Sequence, residues 1–214
     1  MASCINQVAI AAVQIVMNNT LRHYGALSAY GSDIPIACTG IISKVNQVFM
    51  AICIGISQGS QPILGFNYGA EKYSRVRQTY RYSVTLCTVI ATIFFICFQF
   101  FPHQIVGIFG NGSDLYFHFA EKYLRIFMLM TFANGIQPMS ACFFTSIGKA
   151  RLGVIMSLTR QVLFLLPLIV IFPVFFGIDG VMYAGPIADT SAFVLAVVFA
   201  RRELGVMKAA EQNA

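Results

Sequence analysis

Charged side chains in this sequence come in short groups, and apolar stretches long enough to cross a bilayer run between them. A transmembrane helix needs about 20 consecutive apolar residues. Of the 214 residues, 57% are hydrophobic and only 10% are charged, against about 25% charged in ordinary soluble domains. A water-soluble surface cannot be assembled from so few charges. That excludes a cytosolic enzyme, a disordered chain, a nucleic-acid-binding domain and a small disulfide scaffold. Backbone groups in lipid must be satisfied within the segment, and the period-two alternation of a barrel strand is absent. The fold class expected is therefore all-α, a polytopic transmembrane helix bundle.

Apolar length gives six spans, at roughly 3–21, 36–64, 79–101, 123–147, 152–176 and 180–200. The second is over-long for a perpendicular crossing, so it should tilt or begin outside the hydrocarbon. The connections test the count. Lys72, Arg75, Arg77 and Arg81 follow span two; Lys149, Arg151 and Arg160 surround the turn after span four; Arg201, Arg202 and Lys208 follow span six. The alternate connections hold only Arg22, Lys122 and Arg125, and Lys44 falls inside span two. Cytoplasmic loops concentrate Lys and Arg, so an even number of spans with both termini in the cytoplasm is expected. The net charge of +6 is then a sign of orientation rather than of a nucleic-acid partner.

The stretch Phe101-Pro102-His103-Gln104-Ile105-Val106-Gly107-Ile108-Phe109-Gly110-Asn111-Gly112 suits an interfacial helical turn followed by a tight turn. The N-terminus lacks a charged n-region and a cleavage pattern, so the first span itself is expected to direct insertion. No internal repeat, linker or appended soluble domain is evident, and residues 1–214 read as one transmembrane unit. The six cysteines (Cys4, Cys38, Cys53, Cys87, Cys97, Cys142) read as small apolar side chains, without metal or disulfide spacing. His23, His103 and His118 have no ligand spacing, and HExxH, GxSxG, P-loop and kinase motifs are missing. No enzyme, metal or cofactor is expected.

Polar residues inside spans are costly unless they face other helices or water, so their positions point to the functional surface. Gln7, Gln14 and Asn18 share one face of span one. Lys44, Gln47 and Gln58 form a stripe with Ala51 and Gly55 on span two. Asn134 and Gln137 lie on span four, Ser157, Arg160 and Gln161 open span five, and Asp189 is the only acid well inside a span. Each has a plainer reading. Amides also act as interhelical hydrogen bonds; Arg160 is close enough to a cytoplasmic end to snorkel; Lys44 reads equally well either way; Asp189 fits a structural pairing as well as a proton-linked role. Gly55-Ile-Ser-Gln-Gly59 reads as a close helix-packing motif, and Gly65-Phe-Asn-Tyr-Gly69 as a helix terminator. Pro138 and Pro167 mark bends.

The stretch Gly55-Ile-Ser-Gln-Gly-Ser-Gln-Pro-Ile-Leu-Gly-Phe-Asn-Tyr-Gly-Ala70, followed by Lys72, Arg75 and Arg77, closely resembles the signature of the multidrug and toxic compound extrusion (MATE) family. Ala29-Tyr-Gly31 with Gly40-Ile-Ile-Ser-Lys-Val45, Phe101 to Phe109, Tyr123-Leu-Arg-Ile-Phe127 and Gly148-Lys-Ala150 extend the resemblance in order. Ser157 to Pro167, and Gly180-Val with Pro186-Ile-Ala-Asp189, continue it. It covers essentially the whole chain and is closest to bacterial and archaeal drug exporters. The resemblance implies six spans equivalent to helices seven to twelve, forming one lobe of a two-lobed transporter whose substrate sits in a cleft between lobes. It implies export of amphipathic, mostly cationic compounds in exchange for H⁺ or Na⁺, by alternating access, in the cell membrane. The acids that the sodium-coupled branch carries on its seventh and tenth helices have no match in spans one and four, where Gln, Asn and Thr stand. The coupling ion is therefore expected mainly in the N-terminal half.

The cleft candidates are Gln14, Asn18, Lys44, Gln47, Asn134, Gln137, Arg160 and Gln161, with Asp189 as a proton-linked candidate and Pro138 and Pro167 as bending points. The expected partners are the bilayer, small-molecule substrates, and either an N-terminal lobe or a second copy. A fragment of a full transporter is favoured over a free-standing half-transporter. The alternative functions are a lipid-linked saccharide flippase of the same wider superfamily and a non-functional truncated fragment.

Overall fold

The computed structural model describes residues 2–109 and 112–212, with side chains from Asn6 onward. The side chain of Cys4, and Gly110 and Asn111 of the expected tight turn, lie outside that description. Among the described residues there are ten α-helices, one π-helical stretch and no strand. They are α1 (Ala2–Ala26), α2 (Asp33–Gly69), α3 (Tyr73–Phe100), α4 (Pro102–Phe109) and α5 (Asp114–Phe127). Then come α6 (Thr131–Asn134), α7 (Ile136–Ser146), α8 (Ala150–Leu158), the π stretch (Thr159–Leu165), α9 (Leu166–Phe176) and α10 (Asp179–Gln212).

These elements make six passes. Helices α2, α3, α8 through α9, and α10 are each long and apolar enough to cross a membrane, and α5 with α6–α7 forms a further pass bent by 47°. Helix α1, with 25 residues, has the length, but Asn6, Gln7, Gln14, Asn18 and Asn19 dilute its apolar surface. The outer surface is that of a protein dissolved in lipid. On α3, Leu86, Val89, Ile93 and Ile96 follow helical spacing and point outward, and Val162, Val170 and Val174 do the same on the fifth pass.

Two apolar cores hold the bundle, one at each end. The first gathers Leu21, Cys38, Ile42 and Phe49 around Phe119, Tyr123 and Val181. The second gathers Leu64, Val76 and Tyr80 with Phe143, Phe144, Ala196 and Met207. Within it Tyr80 and Ser140 share a hydroxyl hydrogen bond of 2.8 Å. Glycines at the crossings set the spacing. A Cβ on Gly153 of α8 would stand 2.5 Å from Thr145 Oγ1 and 2.7 Å from the Ala141 carbonyl oxygen of α7.

The helices outrun the expected spans, because the last charges of a span mark the edge of the hydrocarbon and not the end of hydrogen bonding. Helix α10 continues past Arg201 and Arg202 to Gln212, carrying a buried row of Ala196, Ala200, Glu203 and Met207. Lys149 Nζ donates to both oxygens of Glu203 at 2.6 Å, and Arg77 pairs with Glu211. These two pairs tie the two basic turns to the tail of α10. At the opposite end Lys122 pairs with Asp179 at 2.7 Å and His103 with Glu121 at 2.7 Å.

The expectation for Gly55 and Gly59 needs correcting. A Cβ on either would meet nothing within 4 Å, so this motif joins no neighbouring helix among the described residues. The crossing instead uses Gly65, where a Cβ would lie 3.3 Å from the Ser146 carbonyl oxygen. Helix α2 ends at Gly69, and the residue that takes positive φ there is Glu71, at 57°.

Candidate functional site

The amides of α1 and α2 face each other across an open cleft of about 850 Å³. Helix α1 contributes Asn6, Gln7 and Gln14, and α2 contributes Ser43, Asn46, Gln47, Gln58 and Gln61 at helical spacing. The far wall is the bent fourth pass, with Gln137 and Pro138, and the π stretch of the fifth, with Arg160 and Gln161. Ile10, Val13, Met17, Met50, Ile54 and Phe127 supply apolar surface between them. Apart from Gln137, none of the cleft amides hydrogen-bonds to protein among the described residues. Unpaired amides in hydrocarbon would each cost several kcal/mol, of order 2–7, so this surface is built for water or a polar guest. Gln137 Nε2 donates to the Met156 carbonyl at 3.1 Å and leaves its own carbonyl oxygen for the cleft.

The two irregular passes explain how the charged group in the wall is placed. Gly135, between α6 and α7, packs so closely on α3 that a Cβ would approach the Cys87 carbonyl oxygen to 3.1 Å. The break leaves Asn134 buried and turned inward. Pro138 opens α7 and lacks the N–H that would bond to the Asn134 carbonyl. In the fifth pass Pro167 lacks the N–H for the Leu163 carbonyl, inside the π stretch. The bend of the fourth pass falls between Phe127 and Thr131, ahead of Pro138. A π turn inserts a residue into the helical phase; Arg160 keeps the inward face of Gly153 and Met156 at ordinary helical spacing, and the shift falls after it, between Arg160 and Leu165.

Arg160 does not snorkel. It is 7% exposed, and its Nε donates to Asp189 Oδ1 at 2.6 Å; the 3%-exposed Asp189 accepts a second bond through Oδ2 from Asn134 Nδ2, also at 2.6 Å. The triad thus links passes four, five and six behind the cleft wall, and both Asp189 oxygens are engaged. That is the structural pairing.

Of the residues singled out from sequence, Gln14, Gln47, Gln137, Arg160, Gln161 and Pro138 line one cleft. Asn134 and Asp189 lie behind it, and Pro167 follows the π stretch without reaching the lining. Asn18 and Lys44 are exposed and lie outside it. Lys44 is turned roughly 100° from Ser43, at the edge of the α2 row, and the α1 row stops at Met17. Asn6, Asn46 and Gln61 also line the cleft, beyond the candidates from sequence, and their spacing with Gln7, Gln47 and Gln58 was the available signal. No Asp, Glu, Lys or His lines the cleft among the described residues, and Arg160 carries its only charge, balanced by Asp189.

An all-helical bundle with a lipid-facing exterior and an amide-lined cleft in its wall is the architecture of a membrane transporter lobe. The chain belongs to the MatE family, whose profile matches residues 2–171. The multidrug export protein MepA of Staphylococcus saprophyticus is 26% identical over 186 residues, covering 86% of this chain and 40% of that protein. MepA of Staphylococcus aureus is 25% identical over 184 residues, with 86% and 39% covered. In three dimensions the chain superposes on an inward-facing MATE multidrug resistance transporter with a TM-score of 0.87 at 15% identity, covering 97% of this chain and 47% of the other. An outward-facing one gives 0.86 at 16% identity, with 97% and 46% covered. The chain therefore spans about 40% of the length of these curated relatives, and under half of the solved transporters.

Proposed function

We propose that this chain is one lobe of a multidrug efflux antiporter in the cell membrane, with both termini cytoplasmic. In this reading it exports amphipathic, mostly cationic compounds in exchange for H⁺ or Na⁺. The observation that carries the reading is the amide-lined cleft in the wall of a MATE-type lobe. Nine side-chain amides and a Met-containing apolar wall offer both hydrogen-bonding senses and an adaptable surface, which suits guests of varied shape. The near-equal fit to inward- and outward-facing transporters supports a lobe that keeps its internal fold while it rocks against a counterpart. That counterpart, an N-terminal lobe or a second copy, supplies the acidic groups for cation and coupling ion, because this cleft lining presents none. A flippase for lipid-linked saccharides calls for a basic cleft, for which Lys44 and Arg160 are the available side chains. Lys44 lies outside the lining and the charge of Arg160 is balanced by Asp189, so the cleft carries no net basic charge and the observations favour efflux.

The test is ethidium accumulation in cells lacking their own exporters. Expression of the chain with its counterpart should lower accumulation, collapse of the H⁺ or Na⁺ gradient should restore it, and Gln47→Ala with Gln137→Ala should raise it several-fold. Unchanged accumulation in the expressing cells would sink the reading.

A further inference from the structure

Arg160 is bonded to its carboxylate partner through one nitrogen only. A guanidinium beside a carboxylate ordinarily closes a two-bond fork. Here Asn134 occupies Oδ2 of Asp189, leaving Oδ1 to Nε of Arg160. The two terminal amino groups, with four N–H donors, have no hydrogen-bond partner among the described residues. They are not sealed in, since no fully buried side-chain nitrogen or oxygen lacks a partner there, and Arg160 belongs to the cleft lining. A side chain more than nine-tenths buried thus has unused donors and a cleft to spend them in. Gln137 and Gln161 stand in the same wall.

From this geometry we infer that the terminal amino groups of Arg160 form an oxyanion subsite, taking a carboxylate or phosphate carried on an amphipathic guest. The inference rests on the proposal that the cleft binds cargo, and it narrows the cargo class. Asp189 cancels the net charge without using the outward donors. The subsite therefore rewards a guest with a well-placed acceptor and gives a simple monocation nothing. Zwitterions fit both lobes: the oxyanion on Arg160 and the cation toward the counterpart. Asn134 is a positioning residue, because its bond to Oδ2 fixes how the Asp189 carboxylate is turned toward Arg160.

The experiment compares the binding of rhodamine B, which carries a free carboxylate, with that of rhodamine B ethyl ester, by fluorescence anisotropy on the purified protein in nanodiscs. A charge-assisted hydrogen bond predicts a preference for the carboxylate of about tenfold. Arg160→Gln with Asp189→Asn, which leaves no buried charge unpaired, should reduce that ratio to about one. Arg160→Lys, which keeps the charge without the fork, should reduce it several-fold and serves if the double variant does not fold. Asn134→Leu releases the bond that orients the carboxylate and should also lower the ratio, as Asp189 turns to take a second Arg160 nitrogen. Farnesyl diphosphate set against farnesol as competitor separates a lipid-linked phosphate from a drug-like carboxylate. Ester binding with no carboxylate preference in the unmodified protein, or a preference that survives the Arg160 changes, overturns the subsite alone. Failure of both dyes to bind overturns the cargo-binding reading with it.

Discussion

A carboxylate in the middle of a membrane helix is stable only if something nearby repays its lost hydration. Asp189 meets that requirement with one guanidinium bond and one amide bond, and the three side chains are each less than a tenth exposed. Breaking a buried pair from one side strands the other charge, at about 3–5 kcal/mol, whereas replacing both partners by apolar groups is close to neutral. Asp189→Leu is therefore expected to destabilise the bundle severely, and Arg160→Met with Asp189→Leu to recover most of the loss. Resistance to unfolding by sodium dodecyl sulfate measures both, and a double variant as weak as the single one would show that the pairing is not what holds the site. Asp189 was conspicuous in the sequence as the only acid deep in a span. Its partner was not, because Arg160 lies near enough to a loop to reach water along an ideal helix. Its spacing from Gly153 and Met156 puts it on the inward face of the fifth pass, but that face is set by packing against α7 and α10 and not by apolar length.

At the scale of the helix, small residues and prolines do different work from what a motif suggests. Gly55 and Gly59 match a packing motif yet adjoin open space, while Gly153, which belongs to no motif, is pressed against α7. Gly153→Ala should cost about 1–3 kcal/mol, because its nearest obstacles are a backbone carbonyl and a hydroxyl already bonded within its helix. Gly59→Ala should stay within about 0.5 kcal/mol, as for other substitutions away from packed sites. Thermal unfolding of the two variants in the same detergent separates them, and equal effects would refute the assigned crossing. The existence of the six passes was legible because hydrophobic length is a direct physical requirement of the bilayer. Their ends were not, since α10 keeps its buried row through Glu203 and Met207 after the apolar run has stopped. Half of the cleft was legible for a related reason. Amides in spans stand out, but which of them converge depends on how α1 and α2 rotate toward the interrupted passes.

The whole lobe has two unlike ends, and the difference fixes how it should sit in the membrane. One end carries the basic turns at Lys72–Arg81 and Lys149–Arg151 together with the tail of α10, drawn together by the Lys149–Glu203 and Arg77–Glu211 pairs. The other carries the α1–α2 turn, α4 and the start of α5, where few basic residues occur. The cleft runs along the N-terminal part of α1 and the middle of α2, from Ser43 to Gln61, and reaches Thr145 and Ala150 beside the basic turn, so the orientation decides which compartment this lobe's amides approach first. With the basic end in the cytoplasm, the cleft lies toward the side from which an exporter must collect its cargo. Single cysteines test this in a background without the native ones. Ser74→Cys sits at the start of α3 and Leu27→Cys in the α1–α2 turn, both at exposed positions. A membrane-impermeant maleimide should label Leu27→Cys in intact cells, and Ser74→Cys only after the membrane is opened. The reverse pattern would place both termini outside and turn the cleft toward the wrong compartment for export.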